Sequence, residues 1–288
     1  MRPTRHPILT YEDYVHPDSV AGMQAIVANA RAAGAQIRVR GSLHGEPGSV
    51  LGDGFSVDGR RRPIVQVMLD KLVGVTIDQA NARAIVLAGT SMGGDPHAPG
   101  SRNPQANHRN SLFEELDRAG FALPVTGGIS HQTISGFLST GSAGGSVVHS
   151  FHDVIRRIRF VDGMAQIVVL SRGDANFDAA LVSLGLFGVL VDIEIDLVPR
   201  FGVKGRRSVQ PAADCDYDLF GDSAATGRPT LEDFLTQKTY SRVMWWPQPG
   251  VERGELWEAR TAPYPLPDAR IHQSLGVIGP MYQWLARF

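Results

Sequence analysis

The chain has 288 residues and a formal net charge of −1, with 43% hydrophobic and 20% charged residues. That balance belongs to a folded globular protein of one large or two ordinary domains, and it leaves no electrostatic footprint for nucleic acid or an anionic membrane. The single cysteine, Cys215, excludes an internal disulfide framework and a cysteine-built metal site, and fits a reducing, cytoplasmic setting. The opening MRPTRHPILTYEDY lacks the apolar core of a signal peptide, and no apolar run is long enough to span a bilayer.

Residues 18–33 predict a helix capped by Asp18 or Ser19, with Met23, Ile26, Val27 and Ala30 on one face and Gly34 as its stop. The run QIRVR follows as a strand and ends in the loop Gly41–Gly45, where His44 stands beside a glycine. A lone histidine at such a bend is, by itself, a polar turn residue. PIVQVML, VGVTID and ARAIVLAG then read as a small β-rich layer. The Pro-, Gly- and Asn-rich stretch 93–110 is loop. Ser111 and Glu114 form a capping box for the helix SLFEELDRA, which stops at Gly120.

PVTGGISHQTISGFLSTGSAGGS is the densest glycine stretch of the chain. VIRRIRFVDGMAQIVVL predicts a hairpin with Asp162-Gly163 as a tight turn, NFDAALVSLG a helix, and VLVDIEIDLVP a strand of period-two alternation. Residues 202–229 look irregular and polar, a domain boundary. Thr230 and Asp233 then cap a short helix before a second hairpin, YSRVMWWPQPGVERGELWEAR.

Three motifs carry candidate chemistry. Gly89-Thr90-Ser91-Met92-Gly93 fits the G-x-S-x-G of a hydrolase nucleophile elbow, but the elbow needs a helix directly after the serine. The prolines and glycines of GGDPHAPGSRNP cannot supply one, so Ser91 is expected in an ordinary loop and the serine hydrolase is the disfavoured reading. His149, His152 and Asp153 offer metal-ligand types, yet two histidines three apart in a Gly/Ser-rich turn read as surface polar groups, and no metal is expected. Gly141–Gly145, Gly185 and Gly188 make neither a G-x-G-x-x-G opening a helix nor a Walker A motif. ISGFLSTGSAGG is still phosphate-loop in character: glycines let backbone N–H groups converge on an anion, and Ser139, Thr140 and Ser142 add hydroxyl donors.

Read together, RVRGSLHG, GGISHQTISGFLSTGSAGG, VIRRIRFVDG and SLGLFGVLVDIEIDLVP occur in the order and approximate spacing of the FAD-binding domain of vanillyl-alcohol-oxidase-type (PCMH-type) flavoproteins. Within these the chain most resembles alditol (xylitol) oxidase and the aldonolactone oxidases, well over residues 15–200 and weakly beyond. The resemblance implies an α+β fold: a two-subdomain FAD-binding domain over 1–200, then a partial α+β cap domain over 201–288 for the substrate. It implies FAD as cofactor. Arg40, Gly41, Ser42, Leu43, His44 and Gly45 match the first phosphate loop, and His44 matches the position that often carries the flavin covalently. Gly128, Ile129, Ser130 and His131 match the segment beside the isoalloxazine. Thr133, Gly136, Ser139, Thr140, Gly141, Ala143 and Gly144 match the second pyrophosphate loop, and Gly188 and Val189 the edge near the adenine. The family usually has a histidine where Ala143 stands. Gly127 falls where a small residue leaves the flavin edge open to oxygen.

The implied activity is oxidation of an alcohol carbon of a polyol or sugar lactone, by hydride transfer to flavin N5 with oxygen as acceptor. No catalytic base is assigned. The family's late His-Trp and Lys segment has no match before Phe288. The chain is therefore expected to be truncated, completed by a partner, or a flavin-binding fragment without the usual turnover. Trp245, Trp246, Arg253, Glu255 and Glu258 are candidate substrate-facing groups on the last hairpin; a solvated strand face, with one tryptophan buried and one at the surface, accounts for them equally.

Overall fold

The structure, a computed structural model, describes residues 9–45, 52, 59–94, 111–221 and 226–267. Most of the expected 93–110 loop lies outside the described residues.

Helix α1 (Val20–Ala32) starts at Ser19, whose hydroxyl accepts from the Gly22 N–H, and it buries Met23, Val27 and Ala30 at the predicted spacing. It leads into β1 (Gln36–Arg40), which pairs in parallel with β2 (Ile64–Met68). Parallel neighbours need a long crossover, and residues 41–63 provide it. Strands β3 (Val75–Asp78) and β4 (Arg83–Leu87) do not extend that pair. They open a separate five-stranded antiparallel sheet, in which β6 (Ile155–Val161), β7 (Ile167–Ser171) and β8 (Val189–Asp196) give the order β3-β4-β8-β6-β7. The expected single layer is thus divided between two sheets.

Strand β8 shows why one face of this sheet is dry. Val191, Ile193 and Ile195 are fully buried in the main core, whereas Asp192, Glu194 and Asp196 point the other way. There the Arg157 guanidinium meets Glu194 at 2.8 Å and Arg156 meets Asp196 at 2.5 Å, while Arg159 pairs with the buried Asp192. The dry face is covered by α1, by α2 (Leu112–Arg118) through Leu112 and Leu116, and by α3 (Ile134–Ser139) through Ile134, Phe137 and Leu138. Ser111 accepts from the Glu114 N–H, as a cap should, and the Glu114 carboxylate meets Arg118 at 3.2 Å. A two-residue pair of β5 (Phe121–Ala122) and β9 (Val198–Pro199) closes one edge.

Three further expectations change. The β6–β7 connection is not a tight Asp-Gly turn, because Val161 pairs with Ile167 and five residues lie between. Asp162 accepts from the Met164 and Gln166 N–H groups, and Ala165 takes the left-handed conformation. The helix expected over NFDAALVSLG is only α4 (Phe177–Leu181), after which the glycines release the chain. The stretch expected to be irregular from residue 202 begins with the ten-residue strand β10 (Gly202–Pro211). Its charged residues hid it, since most of the strand is exposed. It pairs along its whole length with β12 (Arg253–Ala262), whose other side holds β11 (Tyr240–Trp246). Thr230 and Asp233 form the predicted capping box of α5 (Leu231–Gln237). Beneath this sheet Cys215, Leu219, Phe234 and Leu256 make a second, smaller core.

Candidate functional site

A cavity of about 570 Å³ lies among β1 and its loop, the start of α3, the β6–β7 turn and residues 184–190. Gly41, Ser42, Leu43, His44 and Gly45 line it from one side, Thr133, Gly136, Ser139 and Thr140 from another, and Gly188 and Val189 from a third. The structure thereby brings three of the four predicted segments onto one space. Arg40, Gly128, Ile129, Ser130, His131, Gly141, Ala143 and Gly144 lie outside its lining.

Local contacts explain the assembly. Ser42 Oγ donates to the His131 carbonyl at 2.5 Å, and the His44 ring stands edge-on to His131 with centroids 4.5 Å apart. A Cβ on Gly41 would meet Thr133 Oγ1 at 2.6 Å, so the two loops touch where only a glycine fits. Leu43 sits at φ 60°, a costly region for a bulky residue, with its side chain largely exposed. Segment 128–133 is held from its other side by residues 91–94. The Met92 N–H donates to the Gln132 carbonyl, and Ser130 Oγ donates to the Gly94 carbonyl, both at 2.8 Å.

Sequence reasoning missed several wall residues. Arg38 lines the cavity with its Nε buried and without an acceptor among the described residues. Leu186, 86% exposed, and Phe187 overhang the rim. Two apolar residues flanked by glycines in SLGLFG were the available signal. Gly188 has φ +143°, and a Cβ there would lie 2.3 Å from the Val161 carbonyl oxygen. Arg40, by contrast, turns its guanidinium over the Tyr14 ring, at 5.1 Å.

The remaining candidates sit elsewhere. Ser91 is buried and donates its hydroxyl to the Gly93 carbonyl at 2.5 Å; residues 92–94 are not helical. Asp153 caps its own 3-10 turn through Ser150, and His152 lies 3.5 Å from the Ser150 hydroxyl. Among the described residues no cluster of three or more metal-ligating side chains forms. No helix among them is long and apolar enough to cross a membrane. Trp245 and Trp246 are both substantially exposed, Trp245 packing against Phe220 with ring centroids 4.6 Å apart.

Glu255 is 2% exposed, not solvated. It accepts from Arg207 and from the Trp257 indole N–H, and these hold its carboxyl below the usual range against the effect of burial. Glu258 is held down chiefly by Lys238, 2.7 Å away, and by Arg206. Arg253 stays exposed.

No protein-family model matches the chain. Among solved structures it is similar to cholesterol oxidase from Brevibacterium sterolicum, with a TM-score of 0.69 at 16% identity over 94% of this chain and 51% of that one. Alkyldihydroxyacetonephosphate synthase gives a TM-score of 0.64 at 16% identity over 87% and 48% of the two chains. The chain has the α+β fold of these proteins.

In sequence it is related to the aldonolactone oxidases. D-arabinono-1,4-lactone oxidase of Yarrowia lipolytica is 28% identical over 260 residues, 88% of this chain and 42% of that protein. The Saccharomyces cerevisiae protein of the same name is 27% identical over 205 residues, 69% of this chain and 34% of the yeast protein. L-gulonolactone oxidase 5 of Arabidopsis thaliana is 32% identical over 150 residues, 48% of this chain and 23% of that protein. The chain spans less than half the length of these curated relatives.

Proposed function

We propose that the chain is the flavin-binding part of an FAD-dependent oxidoreductase that oxidises an alcohol carbon of an aldonolactone or sugar alcohol, with oxygen as the acceptor. The carrying observation is the convergence of the Gly41–Gly45 loop, the start of α3 and the Gly188 edge on one cavity. The wall suits an anionic, flat cofactor. Arg38 holds a buried Nε without an acceptor among the described residues, and the glycines let a ligand approach the backbone. When bound, FAD supplies a hydride acceptor whose electrons pass on to oxygen.

The chain's own residues supply position. In this reading Arg38 and the Gly41–Gly45 backbone hold the pyrophosphate, with Ser139 and Thr140 opposite. Gly188 and Val189 bound the adenine end, and His44 is the attachment point for a covalent flavin. Gly128–His131, outside the cavity lining, continue the cradle toward the isoalloxazine, and Gly141, Ala143 and Gly144, also outside it, belong with the pyrophosphate loop. The same reading divides the chain near residue 200, the smaller core under β10–β12 belonging to a substrate-side unit.

The test is the visible spectrum of the purified protein followed by acid precipitation, with peroxide measured on aldonolactones. Yellow protein that releases peroxide supports the proposal. Yellow protein without turnover favours a flavin-binding unit that needs completion. A protein that stays colourless after incubation with FAD sinks it, and serine-probe labelling at Ser91 is then the next measurement.

A further inference from the structure

We propose that Ser146 is the positioning residue of a joint that holds the three-stranded sheet against the loop leaving the first cavity, and that loss of this joint opens the small core. The loop starts at the end of α3. Ser139 and Thr140 line the first cavity, and the Ser142 hydroxyl lies 3.2 Å from Thr140 Oγ1 and 3.4 Å from the Gln132 amide nitrogen. Three residues further on, the same loop meets β11. The Ser241 N–H donates to the Gly145 carbonyl at 2.7 Å, and Ser146 Oγ donates to the Thr239 carbonyl at 2.7 Å. Between them the Tyr240 hydroxyl donates to the Pro124 carbonyl, also at 2.7 Å. Three consecutive residues of the sheet are thus tied to the main body. Beside the joint the sheet stands off from residues 123–126 across a second cavity of about 900 Å³, so these bonds set the spacing there.

The joint has no slack. A Cβ on Gly145 would lie 2.5 Å from the Ser241 carbonyl oxygen, and one on Gly144 would lie 2.3 Å from the Thr126 carbonyl oxygen. The loop is pressed between residues 125–126 and β11, where only glycines fit. Ser146 joins the two sides. Its oxygen accepts from the Val148 and His149 N–H groups, each at 3.1 Å, and its single proton goes to Thr239. The two accepted bonds fix the hydroxyl oxygen and so aim the proton across the joint. Past the joint, β11 lays Val243 on the small core of Cys215, Leu219, Phe234 and Leu256. Cys215 is fully buried there, so its thiol meets solvent only when that core opens. The joint does not rest on the flavin reading.

The rate at which a thiol reagent labels Cys215 in the native full chain tests this. Ser146→Ala should speed labelling roughly tenfold, the effect of one lost hydrogen bond, with the far-ultraviolet circular dichroism unchanged. Ser146→Thr keeps the hydroxyl and should restore most of the protection. Ser150→Ala is the control. It removes a neighbouring hydroxyl that caps the next turn through the His152 N–H and makes no bond to β11, so it should label like wild type. Hydrogen exchange locates the change: the Ser241 amide should exchange faster in S146A while the amides of β8 keep their wild-type rates. An unaltered S146A labelling rate, an equal rise in S150A, or faster exchange that spreads over β8 overturns the assignment. Yellow colour measured on the same samples reports the flavin proposal separately.

Discussion

The imidazole of His44 stands edge-on against that of His131, with ring centroids 4.5 Å apart and planes inclined by 62°. The second ring limits the rotamers of the first, and Ser42 binds the carbonyl of the residue carrying that second ring. His44 is thus aimed before any ligand arrives. His44→Ala should leave the fold intact and move yellow colour from the acid pellet to the supernatant. His131→Ala should slow formation of the acid-stable species without abolishing flavin binding, as seen by the same precipitation over time.

Gly188→Ala should be strongly destabilising. The added methyl faces the Val161 carbonyl oxygen at 2.3 Å on a backbone at φ +143°. Left-handed strain and overpacking together cost roughly 2 kcal/mol or more. The urea midpoint should fall with the slope unchanged, and flavin retention should fall with it. Gly163→Ala, with nothing within 4 Å, is the control expected to change little.

Phe234→Ala removes the largest side chain of the small core formed with Cys215, Leu219 and Leu256. Truncating a buried phenylalanine costs about 3–5 kcal/mol. Denaturant unfolding should show that loss, and Cys215, buried in the native protein, should become reactive toward a thiol reagent.

Glu255 gives an acid-side pH dependence. Its carboxyl is held below the usual range first by Arg207 and then by Trp257. A depressed folded-state pKa contributes stability that is present above the unfolded value and lost as pH falls through the folded one. Wild type should therefore lose stability below about pH 4, where glutamate in the unfolded chain begins to protonate. Glu255→Gln should start less stable and show a shallower acid slope in thermal melts.

Tyr11 gives the alkaline counterpart. Its hydroxyl donates to Asp70 at 2.5 Å, and that bond is the main cause of a pKa pushed up to about 12. Between the ordinary tyrosine value near 10 and about 12, the unfolded chain ionises while the folded chain does not, so stability falls as pH rises through that window. Burial also raises the Tyr240 phenol, so ultraviolet titration should find a late-titrating component that Tyr11→Phe diminishes without abolishing.

Periodic burial was readable before any coordinates. Met23, Val27 and Ala30 of α1, and the alternation of Val191, Ile193 and Ile195 against Asp192, Glu194 and Asp196, announce which side is dry. Glycine clusters marked the loops that meet at the first cavity, because close backbone approach leaves a compositional trace. Strand β10 left none: its partner β12 supplies the order, and its exposed face admits any charge. The β6–β7 turn was misread because the Asp162 carboxylate, not the Asp-Gly dipeptide, organises it. Arg38 was invisible as a wall residue because nothing in QIRVR says which arginine faces inward. The hairpin sequence leaves Glu255 open between a substrate-facing and a solvated role, because the partner that buries it, Arg207, lies 48 residues away.

The parallel pairing of β1 and β2 makes residues 41–63 a closed ring whose two ends are fastened side by side by the strands. A ring so fastened changes little in closure entropy when it grows, by about 0.6 kcal/mol per doubling of length. Its first residues, Gly41–Gly45, are held at the anchored end, where Ser42 donates to the His131 carbonyl. A change in the number of residues between the two strands therefore costs little closure entropy and leaves the loop that faces the cavity tied by its own contacts.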